Sequence, residues 1–131
     1  KHEFTIREKV KSLFEAAMSD EPDVVKLFVE GNEFVNPIAI NTDIANKMWV
    51  RVFCNDALRV AKYLLNACPD LDLENLLISA ISKNSERIVQ LIISKRAENM
   101  EQALKIAKKY NRRKILMIIK NEISVRKLEF L

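Results

Sequence analysis

Asp20, Asp56, Asn84 and Asn111 hold the same place in four copies of one segment, and that repetition constrains the fold more than any other feature of the chain. The copies begin Leu13-Phe-Glu-Ala-Ala-Met-Ser-Asp20, Trp49-Val-Arg-Val-Phe-Cys-Asn-Asp56, Leu77-Ile-Ser-Ala-Ile-Ser-Lys-Asn84 and Leu104-Lys-Ile-Ala-Lys-Lys-Tyr-Asn111. Each opens on a large apolar residue. A small or β-branched one follows three positions on (Ala16, Val52, Ala80, Ala107), and an apolar pair follows the Asp or Asn: Val24-Val25, Val60-Ala61, Ile88-Val89, Ile115-Leu116. Spacing of this kind is one face of a helix. A helix that reverses within two or three residues needs a left-handed residue at its end, and where Gly is missing Asn and Asp are the tolerated substitutes. The same side chain is able to cap the helix that follows. Each copy therefore reads as helix, tight turn, helix.

One Gly and three Pro in 131 residues leave little material for hairpin turns, which favours helices over sheet. The pattern predicts helices over 6–18, 23–30, 43–54, 57–67, 73–82, 86–94, 100–109 and 112–123. Start signals agree: Thr5 with Glu8 forms a capping box, Pro22 suits a first helical turn, Asp72 and Ser85 stand at N-cap positions, and Asn99 with Gln102 makes a further box. The copies start at 13, 49, 77 and 104, so the first connection, Gly31 to Thr42, is the long one and reads as an extended loop. The expected fold is an all-α helical-repeat solenoid of about four helix–turn–helix units (5–31, 42–68, 72–95, 99–123) in one domain spanning 1–131. Residues 124–131, which keep Val125, Leu128, Phe130 and Leu131, are expected to fold back as a cap. The chain opens at Lys1 and reads as a fragment of a longer protein.

The repeats resemble those of the ankyrin family, whose pattern runs Leu-His-x-Ala-Ala-x-x-Gly-His-x-x-Ile-Val-x-x-Leu-Leu. The stretch from Leu13 to Gly31 matches nearly throughout, and the later copies keep the spacing. No copy has the Thr-Pro pair before its first large residue or a His in the first helix, and Asp or Asn replaces the turn Gly throughout. The short repeats imply that the family's β-hairpin fingers are trimmed to plain loops. Eroded repeats of this kind are similar to those of large DNA viruses and intracellular bacterial effectors, which implies a cytoplasmic protein acting in a host cell.

Converging catalytic chemistry is not what this sequence offers. His2 is the one histidine and stands at the terminus; Glu30 with Glu33, and Asp70 with Asp72, read as loop and cap residues. Cys54 and Cys68 lie in apolar helical settings and read as small hydrophobes, with no ligand cluster around them. No catalytic residue, metal or cofactor is expected. The longest apolar run, Ile115 to Ile119, is far short of a membrane span. Trp49 and Phe53, one turn apart, read as core, and Met18, Met48, Met100 and Met117 as gap-fillers.

The ankyrin resemblance implies a non-catalytic protein–protein interaction module. By position it carries the family's binding surface onto Asn46, Cys54, Asn55, Glu74, Ser82, Lys83, Glu101, Lys109 and Tyr110. Ordinary helix-end residues are the competing reading of the same set. Charge is uneven: residues 1–82 hold 9 Lys/Arg against 13 Asp/Glu, and residues 83–131 hold 13 against 5. That basic half favours a protein partner with an acidic surface. The alternative is a nucleic-acid-binding helical repeat using Lys105, Lys108, Arg112, Arg113 and Lys114 beside Tyr110, since cations with an aromatic bind phosphates while stacking a base. A simply solvated basic face is the third reading.

Overall fold

The computed structural model describes residues 5–30 and 42–129. The loop expected over 31–41, His2, Glu33 and the last two residues of the expected cap lie outside them. Eight α-helices occur among the described residues, with no strand: α1 (Ile6–Met18), α2 (Pro22–Glu30), α3 (Thr42–Cys54), α4 (Leu58–Ala67), α5 (Leu73–Ser82), α6 (Glu86–Ser94), α7 (Met100–Lys109) and α8 (Arg113–Leu128). The fold is all-α, and seven helices lie within one residue of the sequence-based bounds.

Local chemistry starts these helices as expected. The Thr5 hydroxyl accepts the Glu8 N–H at 3.2 Å while the Glu8 carboxylate reaches back to Thr5, completing the capping box. Asp72 accepts the Asn75 N–H at 3.2 Å, and Asn99 accepts that of Gln102 at 3.4 Å. Ser85 is fully buried at the N-cap of α6, but its hydroxyl does not make the capping bond.

The four turns are built alike. Asp20, Asp56, Asn84 and Asn111 all have left-handed backbones, with φ of 55°, 46°, 60° and 54°. The residue after each sends its N–H back five positions: Glu21 to Ala16, Ala57 to Val52, Ser85 to Ala80 and Arg112 to Ala107, each at 2.9 Å. Asp56, Asn84 and Asn111 add bonds to Phe53, Ile81 and Lys108 at 3.0–3.1 Å. These are the paired bonds of a Schellman motif, which uses the carbonyls that a helix end otherwise leaves without partners. The small residue of each repeat is thus the acceptor that closes the turn. All four are buried, so they also let neighbouring helices approach closely.

The chain divides into two compact halves, Lys1–Pro69 and Asp70–Leu131. In the first, α1 packs on α2 and α3, and α4 packs on α2 and α3. In the second, α5 packs on α6 and α7, and α8 packs on α6 and α7. Within each half, first helices lie beside first helices and second beside second, giving two layers. Leu13, Trp49 and Leu77 are buried at the repeat starts, and Val25, Val60, Leu64, Ile88, Ile92, Ile115 and Ile119 fill the second layer. Trp49 stacks on Phe53 with centroids 5.4 Å apart.

Several expectations are corrected. Ser124–Leu128 continue α8 rather than folding back, because Arg126 faces inward: its Nε bonds Glu122 and its Nη1 donates to the Ala97 carbonyl, both at 2.7 Å. With no Gly or Pro in this stretch, nothing in the sequence stops the helix. Met48 and Met100 fill the core, whereas Met18 and Met117 are exposed. Cys54 is exposed too, since its position in the last turn of α3 faces away from the apolar side. The fourth repeat turns polar where the others are apolar: Lys108 is exposed at the place of the buried Ala17, Phe53 and Ile81.

Asn84 is exposed, so substitutions there test the backbone and not packing. Asn84→Gly is expected to leave the urea midpoint unchanged or slightly raised. Asn84→Val is expected to lose about 1–2 kcal/mol, the cost of a left-handed conformation for a residue with a Cβ branch. Equal stability of the two variants would contradict the turn assignment.

Candidate functional site

The turns connect repeats as well as helices. Asp20 Oδ1 accepts the Val60 N–H at 2.9 Å, so it caps the start of α4 in the second repeat. A carboxylate at that helix start also meets the positive end of the helix dipole. In the second half the direction reverses. Arg112, the residue before α8, donates from Nε to the Ile81 carbonyl at 3.2 Å and from Nη2 to the Ser82 carbonyl at 2.6 Å. A guanidinium thus caps the C-terminal end of α5, where cations are favoured.

That bond draws two turns together. The 83–84 turn follows Ser82 directly, and the 110–111 turn precedes Arg112. Tyr110 is 42% exposed, with the Arg112 guanidinium carbon 5.9 Å from its ring centroid and Lys109 Nζ at 5.4 Å. Two cations therefore lie near the ring, one fixed by its carbonyl bonds and one exposed. Of the expected surface, Ser82, Lys83, Lys109 and Tyr110 lie on or beside the two turns that Arg112 joins. Ser82 is half-buried, and its hydroxyl is turned back to Ser79 O at 2.8 Å; the other three are exposed.

Glu74 and Glu101 stand at the opposite ends of α5 and α7. Glu74 lines a shallow crevice with Ile78, Glu98 and Asn99, and Glu101 lines an open hollow with Ile123, Arg126 and Lys127. In the first half, Asn46, Cys54 and Asn55 are exposed. The Asn55 amide is occupied, donating to the Arg51 carbonyl at 2.8 Å, while the Arg51 guanidinium lies 4.0 Å over the Phe14 ring. Of the alternative basic set, Lys105, Lys108, Arg113 and Lys114 are exposed, and Arg112 is committed to the carbonyls of α5.

The chain matches no family model, no curated protein and no solved structure in the comparisons.

Groups whose ionisation the fold moves serve packing. Burial and the Glu30 carboxylate, which accepts its hydroxyl proton, hold the Tyr63 phenol well above its ordinary range; this contact joins α4 to α2. Burial pushes the Cys68 thiol up, against nucleophilic use. The hydrogen bond from Arg96 holds the exposed Glu129 carboxyl below the usual carboxylate range, and the same bond raises Arg96. Among the described residues no three His, Cys, Asp or Glu gather as a metal site would require, and no helix is long and apolar enough to cross a membrane.

Sequence reasoning missed two residues that tie repeats together through backbone groups. Asp20 was legible as a turn residue, but the N–H that it accepts lies 40 positions away. Arg112 read as one cation of a basic run, and its type at the place of Glu21, Ala57 and Ser85 was the available signal. Arg112→Ala is expected to lower stability by about 1.5–3 kcal/mol, the range for hydrogen bonds to a charged group. Arg113→Ala, one residue on and exposed, is expected to stay within about 0.5 kcal/mol of the parent. Urea unfolding of both variants checks the pair, and indistinguishable losses would contradict the capping role.

Proposed function

We propose that this chain is a non-catalytic protein-binding module of the ankyrin-like helical-repeat type, and that it engages a partner with an acidic surface through its helix turns. The supporting observation is the turn cluster of the third and fourth repeats. An exposed tyrosine stands between Lys109 and Arg112, with Lys83 on the neighbouring turn. Tyr supplies a large contact area with few rotatable bonds and is enriched among interface hot spots. Arg112 holds the two turns in fixed relation, so little order has to be gained on binding. The surrounding excess of cations supports the choice of an acidic partner, since opposite charge raises the encounter rate and rejects basic surfaces.

The ankyrin resemblance supports the same reading, because turn-end residues of successive repeats are that family's binding positions. The four left-handed turns and the two helix layers of each half are compatible with it.

Affinity capture from lysate, with and without nuclease, tests the proposal. Nuclease-resistant capture is expected, with Tyr110→Ala weakening it about tenfold or more. A Lys83→Glu/Lys109→Glu pair is expected mainly to slow association. Wild-type capture by both variants would move the site to Lys105, Lys108, Arg113 and Lys114, and loss of capture on nuclease treatment with a steep salt dependence would favour nucleic acid instead.

A further inference from the structure

At one outward position α8 differs from every other second helix, although α2 also exposes an apolar residue, Leu27, one place further on. Six residues after the left-handed turn residue, the first three repeats place Lys26, Lys62 and Gln90 in solvent. The fourth places Met117 there, 71% exposed. At about 100° per residue, Leu128 falls roughly three turns along almost the same line, and it is 66% exposed. Asn121 and Ser124 lie on either side of that line between them, both exposed. Cations border the strip: Arg113, Lys120 and Lys127 on one edge and Lys114 on the other, all exposed.

The one acid of α8, Glu122, is held by Arg126 at 2.7 Å, and Glu129, just past its end, by Arg96 at 3.0 Å. Glu101 and Lys127 line the same open hollow of about 360 Å³ at the strip's edge. No Asp or Glu among the described residues lies on the strip itself.

We propose that this face of α8 docks an amphipathic helix of a partner protein, its apolar stripe covering Met117 and Leu128 and its flanking Asp and Glu residues meeting Arg113, Lys114, Lys120 and Lys127. Charge complementarity selects this occupant. The same strip of a second copy laid against this one would set cations against cations, a costly juxtaposition. An anionic membrane satisfies the charges, but Asn121 and Ser124 flank the line of the apolar residues closely, one on each side. Sinking that line into acyl chains would leave their polar groups without partners, whereas a peptide is able to hydrogen-bond them. The apolar spacing suits a helix lying along α8, since anchors about three turns apart match a recurring helical stripe. This inference uses residues apart from the Tyr110 turn, and neither depends on the other.

The probe is a 20-residue labelled peptide with a Leu stripe flanked by Glu, alongside its Lys-flanked counterpart, read by fluorescence anisotropy. Phosphatidylcholine vesicles with and without phosphatidylserine form the second arm. The Glu-flanked peptide is expected to bind at least about tenfold more tightly than the Lys-flanked one. Met117→Gln/Leu128→Gln, with helix content checked by circular dichroism, is expected to lose about tenfold or more. Lys114→Glu/Lys120→Glu is expected to weaken the Glu-flanked peptide similarly. Tyr110→Ala is expected to bind this probe like the parent, which separates this face from the turn cluster. Equal binding of the two peptides, parental affinity in M117Q/L128Q, or binding of vesicles without binding of the peptide would each overturn the proposal.

Discussion

In each repeat the N–H that begins the second helix reaches back five residues to the backbone carbonyl of a buried residue with a small or β-branched side chain near the end of the first. That bond forms only when the residue between adopts a left-handed backbone, and Asp20, Asp56, Asn84 and Asn111 all do so. The turn fixes where the second helix leaves and which of its faces meets the first. Ala16, Val52, Ala80 and Ala107 therefore carry two demands at once, a free carbonyl and a small side chain. With those geometries set, the apolar residues of each helix need only the right period to find the core.

Legibility in the sequence followed how local each cause is. The helix bounds, the turn residues and the caps at Thr5 and Asp72 depend on neighbours within about five positions, and all could be read there. The long-range contacts could not. Asp20 finds its donor in the second repeat, and Arg112 finds two carbonyls 30 and 31 residues back. The end of α8 was hidden for a related reason. Val125 and Leu128 suggested an apolar tail turning inward, yet the residue that points in is Arg126, tolerated because Glu122 and the Ala97 carbonyl receive it. One guanidinium nitrogen of Arg126 stays buried without a hydrogen-bond partner, so this anchoring is incomplete.

The candidate site was partly legible for the same reason. Position in the repeat placed Lys83, Lys109 and Tyr110 on turns, and the structure brings them to neighbouring turns. Which cation acts as scaffold and which as surface was not readable, because Arg112 and Arg113 look equivalent in sequence and differ only in what lies within reach. The fold thus sorts a basic run into structural and available charges. The available ones border Tyr110 on one side of the turn and the exposed strip of α8 on the other.

Amide hydrogen exchange gives the most direct test of the turn as the organising constraint. The Ala57, Ser85 and Arg112 amides donate the turn-closing bonds, and in an ordinary helix–helix loop such amides would exchange fast. If those bonds hold the repeats, their protection matches that of mid-helix amides such as Ala61, Val89 and Ile119. Exchange of Ala57, Ser85 and Arg112 at unprotected rates, while the mid-helix amides stay protected, would contradict the central role of the turns.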